Sequence, residues 1–182
     1  MSKSWELNLA QGEWFEDNVA QPWLLENWAN WWITDCRLEK KSTLGGPKMR
    51  KKDQMLVLPD FRLDNSDTSQ TVWIDAKYKK QSFSISGQKD TKFYSIDQRS
   101  YSDYKTFINV WKIAEFFILI GSGNKNLYLL DLKNTDPVWH YFDNNYGKGY
   151  TPCFSEKHMI LVGTWNPTNM HQQLSNQTAI AI

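Results

Sequence analysis

Two aspartates and a lysine stand at the ends of the most strand-like stretches of this 182-residue chain. Asp60 follows the apolar run LVLP, and Asp75 and Lys77 close the run TVWIDAK. Charged side chains at the ends of buried strands need partners or a function, because burying an unpaired charge is costly. Since Lys77 is two residues after Asp75, the two side chains point to the same face of a strand.

These residue types suit metal-dependent phosphodiester hydrolysis. Magnesium takes oxygen ligands, usually one or two carboxylates with waters and a substrate phosphate, and Asp60 and Asp75 supply such a pair if their strands are neighbours. The ammonium of Lys77 would orient a water beside the metal, or would help to remove its proton if its pKa were lowered. Two aspartates, a lysine and a divalent cation therefore predict a hydrolytic site.

Basic residues are grouped on both sides of this stretch, although the net charge of the chain is only +1. One group lies between Arg37 and Lys52, in and around the stretch STLGGPKMRKK, and a second lies between Lys77 and Lys92. Such groups are typical of a phosphate-binding groove, with a solvated loop as the alternative for the first. The residues predicted to bind nucleic acid are Lys48, Arg50, Lys51, Lys52, Lys79 and Lys80.

The elements that must position these residues follow from hydrophobic periodicity. The stretch QGEWFEDNVAQPWLLENWANWW predicts a helix that opens near Gly12 and is kinked or divided at Pro22. Three strands are then predicted in WWITDCRLE, QMLVLPDFRL and TVWIDAKYK, with a polar turn, DNSDTSQ, before the third.

A loop, SISGQKDTK, is predicted after the third strand. A second helix, SIDQRSYSDYKTFINVWKI, follows with Ser95 or Asp97 as its cap. The runs EFFILIG and NLYLLDL predict buried strands joined by a hairpin turn, and MILVGTW predicts one more strand. This order favours an α/β fold with a mixed central β-sheet flanked by helices.

Composition limits the other possibilities. Ten tryptophans are attributed mainly to a large core, and Trp28, Trp31, Trp32 and Trp73 are expected to be buried. The two cysteines are far apart and lie in no zinc-ligand spacing, which argues against a zinc ribbon and a disulfide framework. Without a leader or an apolar run of membrane-spanning length, a soluble, intracellular (cytoplasmic) protein with no membrane partner is expected.

Pro59-Asp60, fourteen intervening residues and Asp75-Ala76-Lys77 together resemble the signature of the PD-(D/E)XK nuclease superfamily, which has the restriction-endonuclease-like fold. The preceding helix also matches, because GEWFEDNVA follows the glycine, aromatic, glutamate and small-apolar pattern of many first helices in this superfamily. The resemblance covers about residues 10 to 132.

The resemblance implies an αβββαβ core and magnesium-dependent cleavage of DNA, less often of RNA, by water attack, with manganese able to substitute. It implies that Asp60 and Asp75 bind the metal, that Lys77 positions or activates the water, and that the Ala76 carbonyl and Glu16 are further ligands. The candidate accessory residues are Gln98 and Tyr101, at the start of the second helix, and Glu13, which competes with Glu16 for the inward position.

The resulting hypothesis is a single nuclease domain spanning residues 1–182. Its core is about residues 10–132, and residues 133–182 form a C-terminal extension packed on that core. A homodimer is favoured, since cutting both strands of DNA requires two sites. Two other functions stay open: a non-catalytic nucleic-acid-binding module of the same fold, and a Trp-rich carbohydrate-binding domain that exposes several tryptophans in one plane.

Overall fold

The structure is a computed structural model, and it describes residues 3–37, 48–51, 54–144 and 147–180. The helices are α1 (Lys3–Phe15), α2 (Gln21–Asn27), α3 (Gln98–Trp111) and α4 (Pro167–Ile180), and a π-helical turn, Glu16–Ala20, joins α1 to α2. The strands are β1 (Trp32–Asp35), β2 (Lys48–Lys51), β3 (Gln54–Val57), β4 (Phe61–Asn65), β5 (Gln70–Lys79), β6 (Phe83–Ile85), β7 (Gln88–Ser95), β8 (Glu115–Ser122), β9 (Asn126–Asp131), β10 (Val138–Asn144), β11 (Gly147–Ser155) and β12 (Ile160–Thr164).

A mixed sheet lies at the centre of the fold, with the described strands in the order β1-β4-β5-β8-β9-β12. Strands β5 and β8 are parallel, and the other neighbours in this sheet are antiparallel. Taken along the chain, α1, β1, β4, β5, α3 and β8 follow the predicted order of helix, three strands, helix and strand. The predicted α/β class with a mixed central sheet flanked by helices is therefore confirmed.

Helices cover both faces of this sheet. On one face, Ile74 of β5 packs in a buried cluster with Phe15 of α1. On the other face, the ring of Trp73 packs edge-on against Phe107 of α3, with 5.0 Å between the ring centroids. Because side chains alternate along a strand, Asp75 and the lysine two residues later share the face of Trp73 and lie on the α3 side.

A second sheet, in the order β10-β11-β7-β6, lies beside the start of α3. The backbone N–H of Ile96, just before α3, donates to the carbonyl of Pro152 on β11 at 3.1 Å. Strand β12 pairs with β9 at the edge of the central sheet, and Met170 of α4 is fully buried in the cluster that contains Phe15. The residues after 132 therefore contribute to both sheets and to the core.

Several local predictions were wrong. The first helix begins at Lys3 and not near Gly12, although Pro22 does lie in the first turn of a separate second helix. The predicted second strand is two strands, β3 and β4, because the chain leaves the extended pairing around Pro59 and β3 pairs with β2. The Lys48–Lys51 part of the predicted basic loop is thus a strand.

The loop predicted in SISGQKDTK is the β6–β7 hairpin, where Gly87 has a φ of 84° in the turn that joins the two strands. Trp32 is 73% exposed and not buried, because it lies on the edge strand β1 and faces away from the core. Trp28 and Trp31 are half-buried and pack edge to face, whereas Trp73 is buried as predicted.

Candidate active site

Asp75 is almost fully buried, with only 1% of its surface exposed. Its Oδ1 accepts a hydrogen bond from the Tyr104 hydroxyl at 2.7 Å, and its Oδ2 lies 2.6 Å from Nζ of Lys77. Apart from this ion-pair contact, the buried Oδ2 accepts no hydrogen bond from the residues that the structure describes. One carboxylate oxygen is thus held by a hydroxyl, and the other faces an ammonium.

Asp60 joins this group from the neighbouring strand. It directly precedes β4, is 4% exposed, and accepts the backbone N–H of Ala76 on its Oδ2 at 2.9 Å. Because Phe61 of β4 pairs with Ile74 of β5, the preceding residue lies beside Asp75. The structure therefore brings Asp60, Asp75, Ala76 and Lys77 together at the predicted strand ends.

The charges in this group oppose one another. Burial raises the pKa of Asp75 to about 7; the charge of Asp60 acts in the same direction, while Lys77 and the Tyr104 hydroxyl oppose it. Burial lowers the pKa of Lys77, but the neighbouring charges, above all Asp75, outweigh burial and raise it well above its usual value. The pKa of Lys77 is therefore raised and not lowered, which favours the ammonium form beside the two aspartates.

The aspartate pair fits a hard divalent cation. Magnesium is usually bound by one or two carboxylates plus waters and substrate, and Asp60 and Asp75 are two buried carboxylates on neighbouring strands. Within the described ranges, no group of three or more His, Cys, Asp or Glu side chains is arranged to hold a metal ion. Glu16 therefore does not form a three-carboxylate group with Asp60 and Asp75 in this structure.

Glu16 lies in a different ionic cluster, centred on Arg37. The guanidinium of Arg37 is 3.3 Å from Glu16, 2.8 Å from Asp17 and 2.6 Å from Asp35, and it lies over the ring of Phe61. Only 8% of the Arg37 side chain is exposed, so Arg37 is a buried ion-pair residue. Its place in the first basic group had indicated a phosphate-binding surface, and that indication was wrong for Arg37.

Helix α3 supplies a residue that the sequence did not single out. Tyr104, one turn after Tyr101, bonds Asp75, whereas Gln98 is exposed and Tyr101 is half-buried. In the described part of the chain, neither Gln98 nor Tyr101 makes a hydrogen bond to Asp60, Asp75 or Lys77. Tyr104 lies on the apolar face of the helix. Its position one turn after Tyr101 was the only feature of the sequence that could have identified it as a site residue.

The other predicted positions lie around this group. Lys79 is half-buried on the same face of β5 as Lys77; burial and the charge of Lys77 lower its pKa to about 8, against the opposing charge of Asp97. Lys80 and Glu13 are exposed. Lys48, Arg50 and Lys51 lie on β2, and Lys52 lies outside the described residues.

A cavity of about 570 Å³ opens at the other end of the central sheet, where β5 and β8 begin and α3 ends. Trp73, Phe107 and Trp111 line it, and Asp60, Asp75 and Lys77 do not. The cavity is therefore separate from the candidate active site.

No helix in the described residues is long and apolar enough to cross a membrane.

No protein-family model matches this chain, and no curated protein matches it. Among solved structures, the chain is similar to Hjc, a Holliday junction resolvase from the archaeal hyperthermophile Archaeoglobus fulgidus. The two are 12% identical, the match covers 84% of this chain and 92% of Hjc, and the TM-score is 0.45. At that level of similarity, the functional argument depends on the site residues of this chain.

Proposed function

We propose that the protein is a magnesium-dependent deoxyribonuclease, an endonuclease that hydrolyses phosphodiester bonds at Asp60, Asp75 and Lys77. The observation that supports this proposal is the buried contact of Asp75 with Lys77 beside a second buried carboxylate. Burying these charges is unfavourable for folding, and groups with strongly shifted pKa values cluster at functional sites. The intact set of two carboxylates and an ammonium favours catalysis over a non-catalytic module of the same fold.

In this proposal, Asp60 and Asp75 hold the cation, with the carbonyl of Ala76 as a further ligand. A bound divalent cation supplies Lewis-acid stabilisation of the charge that develops on the phosphate oxygens. The protonated Lys77 donates a hydrogen bond to the attacking water and fixes its position. In the hydrolysis, the water oxygen bonds to phosphorus as the bond from phosphorus to the leaving oxygen breaks. One proton of the attacking water passes to solvent, the leaving oxygen takes a proton from solvent, and Lys77 stays protonated.

Residues around the aspartates have supporting roles in the proposal. Tyr104 holds the carboxylate of Asp75 in one orientation through its hydrogen bond to Oδ1. Glu16 is paired with Arg37 in the separate cluster and is given no direct contact with the cation. In the same proposal, the lysines of β5 and β2 bind the phosphates of the DNA backbone. DNA is the preferred substrate. Two copies of the chain together cut the two strands of a duplex.

Cleavage tests the proposal directly. Supercoiled plasmid, single-stranded DNA, branched DNA and RNA are incubated with magnesium, manganese or EDTA. We expect metal-dependent cleavage of DNA that Asp60→Ala and Asp75→Ala each abolish, because each removes one of two charged ligands. Asp64→Ala is the matched control, since Asp64 lies on β4 and pairs with Arg62. Near-wild-type turnover of either site variant at saturating metal would contradict the assignment.

Lys77 distinguishes catalysis from binding. If it orients the attacking water, its contribution is made mainly in the transition state. Lys77→Ala should therefore bind DNA and metal nearly as well as the wild type and cleave at least ~100-fold more slowly. Lys77→Arg should not restore the rate, because a planar guanidinium does not reproduce a compact ammonium. Equal losses of binding and cleavage would make Lys77 a phosphate-binding residue only.

Two outcomes of the same experiment point to the alternatives. DNA binding without cleavage in any metal indicates a non-catalytic nucleic-acid-binding module. Oligosaccharide binding without DNA binding indicates a carbohydrate-binding domain.

A further inference from the structure

The β10–β11 hairpin exposes three aromatic side chains on one face. Trp139, Tyr141 and Tyr150 are 47%, 48% and 60% exposed. Tyr141 and Tyr150 are partners in the strand register, and their rings meet edge to face with 5.3 Å between centroids. Because alternate residues and paired residues share a face of a sheet, Trp139 lies on the same face. We refer to these three side chains as the aromatic row.

The face of the hairpin that carries the aromatic row is buried at its end nearer the core. Phe154, two residues after the register partner of Trp139, is 1% exposed. The ring of Tyr101 on α3 packs against both Trp139 and Phe154, at 5.7 Å and 6.0 Å between centroids. Beyond this contact the described part of the chain leaves the aromatic row open to solvent.

The aromatic row begins next to the candidate active site. Tyr101 is one helical turn before Tyr104, whose hydroxyl bonds Asp75. Lys79 is on the strand of Asp75, two residues after Lys77, and is half-buried. The candidate active site therefore adjoins the aromatic row through Tyr104 and Tyr101, and β5 carries a further lysine two residues after Lys77.

We propose that the aromatic row is a stacking surface for unpaired nucleobases, so that the substrates are DNA molecules with single-stranded bases beside the cleaved bond. This inference rests on the proposed function and specifies its substrate class. Exposed Trp and Tyr rings stack on the face of any base, and a neighbouring lysine binds the backbone between bases. Bases within a duplex are already stacked and do not present their faces to such a surface.

The size of the aromatic row favours bases over a second copy of the chain. Aromatic side chains bury roughly 150–250 Å² each when fully covered, so three half-exposed rings offer roughly 300 Å². A specific protein interface buries about 800 Å² on each partner. The aromatic row is therefore too small to form a stable dimer interface, whereas it matches two or three stacked bases.

The test measures binding to DNA without cleavage. Fluorescence anisotropy in EDTA gives the affinity of a fluorescein-labelled 20-nucleotide oligo(dT) and of a 20-base-pair duplex. Trp139→Ala and Tyr150→Ala should each weaken oligo(dT) binding roughly 5- to 150-fold and duplex binding less than about twofold. Trp139→Phe and Tyr150→Phe should keep most of the affinity, because the ring and not the polar group stacks. Trp32→Ala is the matched control, an exposed tryptophan on β1.

Salt dependence separates stacking from charge. The slope of log K against log salt should be unchanged in Trp139→Ala and smaller in Lys79→Ala, since only the lysine displaces counterions from phosphate. The inference is overturned if the aromatic variants bind oligo(dT) like Trp32→Ala, or if they lose single-stranded and duplex binding equally. It is also overturned if they convert a dimer to a monomer with no change in oligo(dT) affinity.

Failure of this inference differs from failure of the proposed function. If the wild-type protein cleaves no nucleic acid but the aromatic variants selectively lose oligo(dT) binding, the nuclease proposal is refuted and the stacking surface is supported. A wild-type protein that cleaves DNA, with aromatic variants that bind like the control, supports the nuclease and removes the stacking surface.

Discussion

Replacing Tyr104 by phenylalanine removes one hydroxyl from the candidate active site and keeps the ring. The hydroxyl donates to Oδ1 of Asp75 at 2.7 Å, and both residues are 1% exposed. The ring contacts remain, since they involve Phe116 at 5.2 Å and the ammonium of Lys77 at 5.9 Å. The variant therefore leaves one oxygen of a buried carboxylate without its donor and changes little else.

The loss of stability follows from the charge of the acceptor. A hydrogen bond to a charged group contributes about 1.5–3 kcal/mol, against about 1 kcal/mol for a neutral pair. We expect Tyr104→Phe to lower the free energy of unfolding by about 2 kcal/mol, and therefore the Tm by about 4–8 °C for a domain of this size. Tyr94→Phe is the control, because the buried Tyr94 hydroxyl bonds the neutral Ser122 at 2.9 Å, and it should cost about 1 kcal/mol or less.

Metal affinity gives the second measurement. Groups that orient a metal ligand typically change metal affinity or activity 10- to 100-fold when they are removed. Isothermal titration with magnesium and manganese should therefore show weaker binding to Tyr104→Phe and unchanged binding to Tyr94→Phe. If both variants lose the same stability and bind metal like the wild type, Tyr104 does not hold Asp75 for a metal, and its hydrogen bond is only structural.

Two further predictions concern packing and thiol reactivity. Gly121→Ala should destabilise the fold by about 1–3 kcal/mol, because the added Cβ overlaps the ring of Phe15, whereas Gly12→Ala, which meets open space in α1, should stabilise it by up to about 1 kcal/mol. Equal shifts in urea unfolding would contradict the packing of Phe15 on β8. At pH 8, iodoacetamide should modify Cys36 in the native protein and leave Cys153 unmodified, because burial raises the Cys153 pKa to about 11. Peptide mapping by mass spectrometry gives the site, and modification of Cys153 in the folded protein would contradict its burial.

The part of the fold that the sequence predicts correctly is the part with strong periodicity. The apolar runs around Ile74 and in β8 and β9 can only be buried strands, and the position of Asp60 next to Asp75 follows once their strands are neighbours. The helix cap also follows from local chemistry, since the Asp97 side chain accepts the N–H of Ser100 at 2.8 Å.

The parts that the sequence does not predict depend on contacts between distant residues. Arg37 precedes a group of lysines in the sequence, but besides the nearby Asp35 it pairs with Glu16 and Asp17, which come from a distant segment, and it is buried. Tyr104 fits the apolar face of α3, and nothing local shows that its hydroxyl meets Asp75, 29 residues earlier. Strand β2 and the β6–β7 hairpin are too polar for the period-two pattern to identify.

Two ionic clusters in the described part of the chain, around Arg37 and around Asp75, differ in how their charges are compensated. Arg37 is satisfied, because burial lowers its pKa but three carboxylates more than compensate and favour the charged form. In the Asp75 group, burial and the charge of Asp60 raise the pKa of Asp75 to about 7, against the opposing effects of Lys77, 2.6 Å from Oδ2, and of the Tyr104 hydroxyl. A buried ion pair of this kind is often no more stable than apolar side chains of similar size. Asp17 in the Arg37 cluster is largely exposed to solvent, whereas Asp60 and Asp75 are both buried beside one ammonium. A divalent cation bound by the two aspartates, as proposed, would balance their charge.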